Sequence, residues 1–240
     1  YNNKKETMMK MKLYSAIFTL ILAVSTLHAE TKRYEVRSGI IDYTTTGSGN
    51  MMGIETQMSG TNRVVFKAWG EVELHQSTTE SVVMGRKEKK QDTTKIENGK
   101  VYVVDYEQKI IVAYEASKLM HTQYKDLAKS SKEMLKEMGG KKVGEGSILV
   151  YQCEIWEMPQ IKLWLYKGIA LKSEANIMGI TNTMEATNVQ LDISISDDQL
   201  KLPDFPVKSM QEVHSPSEML QMTPEQMQQM QEMMKNFTKR

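Results

Sequence analysis

Cysteine is almost absent. Cys153 is the only one in 240 residues, so no intramolecular disulfide can hold this chain together. A reactive thiol needs a basic neighbourhood or a helix N-terminus. The run Leu149-Val150-Tyr151-Gln152-Cys153-Glu154-Ile155-Trp156 supplies neither, so Cys153 reads as a small buried hydrophobe. Histidine is nearly as scarce. His28 falls in the leader discussed below, and His75, His121 and His214 are far apart, with no H-x-x-x-H spacing. There is no G-x-S-x-G elbow, phosphate loop or dinucleotide fingerprint. Asp197-Asp198 is the one adjacent acidic pair, at a strand end where a turn explains it. The expectation is therefore no enzyme, no cofactor and no metal site of the His/Cys type. A charge excess is missing too. Thirty-one basic and 30 acidic residues leave a formal +1, without the basic footprint of a nucleic-acid binder.

Long apolar runs are also lacking. The longest, Leu13 to Val24, falls short of the roughly 20 residues that span a bilayer. Lys10 and Lys12 precede it, Leu27-His28-Ala29 follows it, and Met8 is the first plausible start. This is the n-h-c layout of a secretory signal. Residues 1–29 are thus expected to be a leader and signal peptide, cut near Ala29, which makes the protein periplasmic. Removing that segment takes the net charge to −2.

What the chain has is alternation. In Trp164 to Glu185 two apolar runs break at Lys167-Gly168 and Met178-Gly179. Glycine accepts the positive φ that two-residue hairpin turns need. Between the breaks Ile169, Leu171, Ser173 and Ala175 alternate with Ala170, Lys172, Glu174 and Asn176, a period near two. Asn50-Met51-Met52-Gly53-Ile54 nearly copies Asn176-Ile177-Met178-Gly179-Ile180, and Met84-Gly85 is a third such turn. Asn98-Gly99 is the strongest short hairpin signal. Tyr34–Thr46, Arg63–Trp69, Ile148–Met158 and Val189–Ser196 read as further strands, with Gly47-Ser48-Gly49 as a bend.

Ser117 to Met138 differs. Leu119, Met120, Tyr124, Leu127, Met134, Leu135 and Met138 recur at helical steps, and Gly139-Gly140 stops the run. Such a stripe has only the sheet to cover. Two prolines, Pro203 and Pro206, end the sheet. Residues 208–240 read as a separate Met-rich tail, with Met227, Met230, Met234 and Phe237 on one helical face. One domain, 30–207, thus precedes a helical tail.

Lys167-Gly168-Ile169-Ala170-Leu171-Lys172-Ser173-Glu174 with its following Met-Gly turn resembles an uncharacterised family of exported bacterial proteins, similar in turn to the Lol-type lipoprotein carriers. The resemblance runs from about Tyr34 to Phe205. It implies an α+β, mostly β fold: a curved antiparallel half-barrel covered by one or two helices. It also implies non-enzymatic binding of a hydrophobic ligand (lipid, acyl chain or lipoprotein) by a monomer in transient contact with envelope membrane or protein. Trp69, Tyr102, Met120, Tyr124, Met134, Trp156 and Trp164 are the candidate lining, since Met adapts to varied apolar shapes and barrel mouths favour ligands. Arg63 is the candidate for the basic residue of such carriers. Two other readings stay open. The tail methionines, Met227, Met230 and Met233 among them, could bind Cu(I) through thioethers. The hairpin tips Met52, Met84 and Met178 could contact a protein or a membrane.

Intact-mass measurement of the exported protein should find Glu30 at its start. A mature chain retaining residues 1–29 would contradict the leader reading.

Overall fold

The computed structural model describes residues 32–51, 54–83, 85–115, 132, 135–136, 138–177 and 179–209. The readings made above for the leader, most of the 117–138 helix and the Met-rich tail lie outside the described residues. The described residues form one sheet of twelve strands: β1 (Gly39–Met51), β2 (Ile54–Lys67), β3 (Val72–Val83), β4 (Arg86–Glu97), β5 (Lys100–Asp105), β6 (Ile110–Glu115), β7 (Lys141–Ile148), β8 (Tyr151–Met158), β9 (Ile161–Tyr166), β10 (Ile169–Ile177), β11 (Ile180–Leu191) and β12 (Val207–Ser209). Their order is β12-β6-β5-β4-β3-β2-β1-β11-β10-β9-β8-β7. Every pairing is antiparallel except β12 with β6. The sheet is open and unclosed, as the mostly β reading expects.

The turns follow the residues that permit them. Asn98 and Gly99 have φ of 52° and 72°, and Lys167 and Gly168 have 50° and 83°. Two successive positive φ values give the hairpin twist that matches twisted strands. The three Met-Gly hairpins join β1 to β2, β3 to β4 and β10 to β11. Six adjacent strands therefore bring all three turns to one end of the sheet. There β1 and the β10–β11 turn touch so closely that a Cβ on Gly49 would collide with the Gly179 carbonyl.

The two faces carry different cores. Ile41, Tyr43, Val64, Phe66, Leu171 and Met184 belong to one buried cluster, on what is called below the inner face. Ile40, Val65 and Leu74 point the other way, beneath Leu200, Ile193, Ile195 and Leu202. This alternation of neighbours is the period-two rule in three dimensions. The sheet also curls toward its inner face. Tyr151 Oη on β8 donates to the Val189 carbonyl on β11 at 3.4 Å, and Tyr43 Oη on β1 donates to the Ala170 carbonyl on β10 at 3.1 Å. In a flat sheet the first pair of strands would stand about 14 Å apart.

Three expectations change. Gly47-Ser48-Gly49 is not a bend but straight β1 backbone, because β2 and β11 pair with it on both sides. Ile193 to Ser196 is not strand. β11 ends at Leu191, Asp192 turns the chain at φ 54°, and Ile193 and Ile195 fold over the outer face. The sheet does not end at Pro206 either, since β12 follows and pairs with β6.

Leu171 is fully buried, so Leu171→Ala should cost about 2–5 kcal/mol. Val150, 89% exposed, should tolerate Val150→Ser within about 0.5 kcal/mol. Urea unfolding of both variants checks the assignment of the inner core.

Candidate functional site: an apolar face closed by a buried ion cluster

Pairing register fixes what the inner face presents. Phe66 lies opposite Glu73, and Val64 opposite His75. Two ionisable side chains of β3 thus share the face of the apolar cluster. Both are held in a network with the segment before β1. Arg33 Nη2 lies 3.2 Å from Glu73 Oε2, and Tyr34 Oη donates to the same oxygen at 2.7 Å. Arg33 Nη1 donates to the Gly70 carbonyl at 3.0 Å, and His75 Nε2 pairs with Glu73 Oε1. Burial alone pushes the Glu73 carboxyl upward. The Arg33 guanidinium, His75 and the Tyr34 hydroxyl outweigh it and hold the group down to about 2. Burial likewise pushes the Tyr34 phenol well up, which keeps it a neutral donor.

This cluster fastens residues 33–37 across one end of the sheet. Backbone bonds complete the strap: Tyr34 N–H to the Trp69 carbonyl, Trp69 N–H to the Arg37 carbonyl and Glu35 N–H to the Lys167 carbonyl. Val36 and Tyr34 then close the apolar cluster, with the Tyr34 ring edge-on to Phe66 at 4.8 Å. Ala68 and Trp69 adopt left-handed backbone, φ 52° and 56°, which is uncommon outside glycine.

Away from the strap the inner face becomes small and polar. Asn62 lies opposite Tyr43 and Ser77, Thr45 opposite Gly60 and Met184, and Ala175 opposite Asn182. Asn62 Nδ2 donates to Thr45 Oγ1 at 2.5 Å. A Cβ on Gly60 would stand 2.5 Å from the Thr78 carbonyl, so only glycine lets β2 and β3 approach there.

One irregularity extends the apolar surface. Leu171 is an extra residue between Ala170 and Lys172 where β10 pairs β9. As a result Ile169 faces Tyr166 while Ser173 faces Leu163, from the other side of β9. Leu163 belongs to a second cluster with Trp156, Leu165 and Ala170, covered by Leu135. Lys132, Leu135 and Lys136 are helical and Met138 lies in a turn; the rest of the predicted 117–138 helix lies outside the described residues. Lys132 Nζ reaches Glu154 at 3.2 Å and Glu35 at 3.5 Å.

The seven candidate lining residues do not form one pocket. Trp69 sits in the turn after β2, with Lys32 Nζ 4.3 Å from its ring centre. Tyr102 shares a face with Lys95 and Ala113, opposite that of Val101 and Val103. Trp156 is buried with Leu163, whereas Trp164 lies on the other side of β9 against the first cluster. Met120, Tyr124 and Met134 lie outside the described residues. Arg63, read from the sequence as the carrier's basic residue, is half exposed near Asp42 on the outer face; the buried arginine is Arg33. The signal for it was Glu73-x-His75, two ionisable groups at strand spacing beside an apolar strand.

An open depression of about 730 Å³ lies toward the Met-Gly end. Thr46, Ser48, Gln57, Met58, Glu80, Val82 and Thr183 are among the residues that line it. Cys153 is buried and burial pushes its thiol up, as an inert core residue should be. Among the described residues no group of three or more His, Cys, Asp or Glu could hold a metal ion, and no helix is long and apolar enough to cross a membrane.

No model of a known protein family matches the chain, and no curated protein does. Solved structures do. An uncharacterised conserved protein from Thermus thermophilus aligns over 75% of this chain and 94% of its own, at 9% identity and a TM-score of 0.41. LprF from Mycobacterium bovis aligns over 77% and 95%, at 10% identity and 0.32. The LolA superfamily protein NE2245 from Nitrosomonas europaea aligns over 77% and 97%, at 10% identity and 0.32. Likenesses at this level say nothing of what the chain binds.

Glu73 yields the pH prediction. A folded-state value near 2, against an ordinary 4.5, contributes roughly 3 kcal/mol of stability. That contribution is complete above about pH 4.5 and is lost as pH falls toward 2. Unfolding midpoints measured between pH 7 and 2.5 should fall accordingly, and Glu73→Gln should flatten the dependence while lowering stability at pH 7.

Proposed function

We propose that this protein is an exported, non-enzymatic carrier that holds an acyl chain of a lipid or lipoprotein against the inner face of its sheet, in the periplasm. The observation behind this reading is the apolar inner face of an open sheet, running from Phe66 on β2 through Ile41 on β1 and Met184 on β11 to Leu171 on β10. Its two covers are held very differently. The strap at 33–37 is fixed by a fully buried ion cluster, and removing one partner from such a pair costs about 3–5 kcal/mol. Of the helical cover, the described residues contribute the buried Leu135 and two Lys132 ion pairs that stay partly in water. Such pairs contribute about 0–1 kcal/mol each.

A carrier needs that asymmetry. The cover at Leu135 can lift while the strap keeps the sheet shaped. Burial of an acyl chain supplies about 0.8 kcal/mol per CH₂ removed from water, enough over several methylenes to replace the leucine. No bond is made or broken in the cycle. Release reverses it wherever a competing apolar surface takes the chain.

The test uses the exported protein, its lipids extracted, and a fluorescent fatty acid. Saturable one-to-one binding, displaced by unlabelled acyl chain, is expected. Trp164 borders the face, with Lys172 Nζ 5.0 Å from its ring centre, so its emission should shift on loading and should ignore Cu(I). Lys132→Ala should speed uptake several-fold by loosening the cover. Absence of binding by native mass spectrometry and by fluorescence would overturn the reading.

A further inference from the structure

Among the described residues, two polar atoms on the inner face are buried without a hydrogen-bond partner: Ser173 Oγ and Asn182 Oδ1. They are neighbours. Ser173 lies opposite Met184, and Asn182 lies opposite Ala175, two residues along β10 from Ser173. Ser173, Ala175 and Met184 are only 2%, 3% and 5% exposed. Buried polar groups are paired in the great majority of proteins, because an unmade bond forfeits the water it displaced. Two orphans side by side, at the border between apolar cluster and polar band, require an explanation.

Their place suggests one. On its β9 side Ser173 faces Leu163, which belongs to the cluster covered by Leu135. A chain lying along Leu171 and Met184 would bring its polar end to this spot.

We infer that Ser173 and Asn182 form the head-group subsite of the carrier, and that it selects acyl ligands whose polar end donates a hydrogen bond. The inference rests on the acyl-carrier reading above and narrows its ligand class. The chemistry of the two atoms sets the selection. A carboxamide oxygen only accepts, so its partner must bring an N–H or O–H. The serine hydroxyl can donate to, or accept from, the same head. Amides and hydroxyl-bearing esters satisfy both atoms, whereas a simple methyl ester leaves Asn182 Oδ1 unpaired. Sites built to pair a ligand N–H or O–H discriminate against analogues that lack it.

The experiment compares oleamide and monooleoylglycerol with methyl oleate, on the delipidated exported protein, by displacement of a fluorescent fatty acid. The donor-bearing ligands should bind about tenfold more tightly than the ester, the worth of one good hydrogen bond. Ser173→Ala and Asn182→Leu should shrink that preference to about threefold or less, since each removes one of the pairing atoms. Ser173→Ala should also leave the melting temperature of the empty protein unchanged or higher, because it deletes an orphan. Equal affinity for all three ligands would overturn the subsite and leave the carrier standing. A fall in melting temperature with the preference intact would show an ordered water, not a ligand, pairing Ser173, and would overturn it too. If none of the three binds, the carrier reading falls with it.

Discussion

An open sheet with apolar residues on both faces must cover them with chain from elsewhere, and the rest of this structure follows from that requirement. A closed barrel would hide its interior by geometry. Here β7 lies at one edge and β6, with the short β12, at the other. Among the described residues, three features provide cover besides the segment Ile193 to Leu202 on the outer face. The sheet curls until Tyr151 and Tyr43 hydrogen-bond across intervening strands. Residues 33–37 cross one end, and Leu135 seals the cluster on β8 and β9.

The strap brings its own constraint. It crosses over Glu73, and a carboxylate in an apolar setting is costly unless paired and hydrogen-bonded. Arg33, Tyr34 and His75 meet that need together. Such a network is weak evidence for stability in general. Its clearer effect is positional, since Arg33 and Tyr34 of the strap both meet Glu73 Oε2 while His75 meets Oε1. The fixed end then contrasts with the partly solvated ion pairs of Lys132, and a binding cycle in which one cover stays and one yields becomes physically reasonable.

Much of the sheet was legible in the sequence because strand and hairpin signals are local. Asn98-Gly99, Lys167-Gly168 and the alternation from Ile169 to Ala175 each state their geometry within a few residues. The failures share another cause. Ile193 and Ile195 alternate like a strand, yet they pack over Ile40 and Leu74 from outside the sheet, which only tertiary placement decides. Gly47-Ser48-Gly49 looks like a bend until two partner strands hold it straight. Arg33 and Glu73 stand far apart along the chain and meet only once the strap is laid down. The tryptophans were the natural choice for a lining, but Trp156 and Trp164 fall on opposite sides of the sheet because their partners fix the register. An apolar face built from isoleucine, valine and leucine has no composition to separate it from an ordinary core.

The central claim is that the inner face takes an acyl chain. Methyl NMR tests it most directly, by adding a short-chain acyl ligand to protein labelled at Ile, Leu, Val and Met methyls. The account predicts saturable shifts at Ile41, Leu171, Met184 and Leu135, with Ile40 and Val150 unmoved. Shifts confined to the outer face, or a spectrum that never changes, would contradict it.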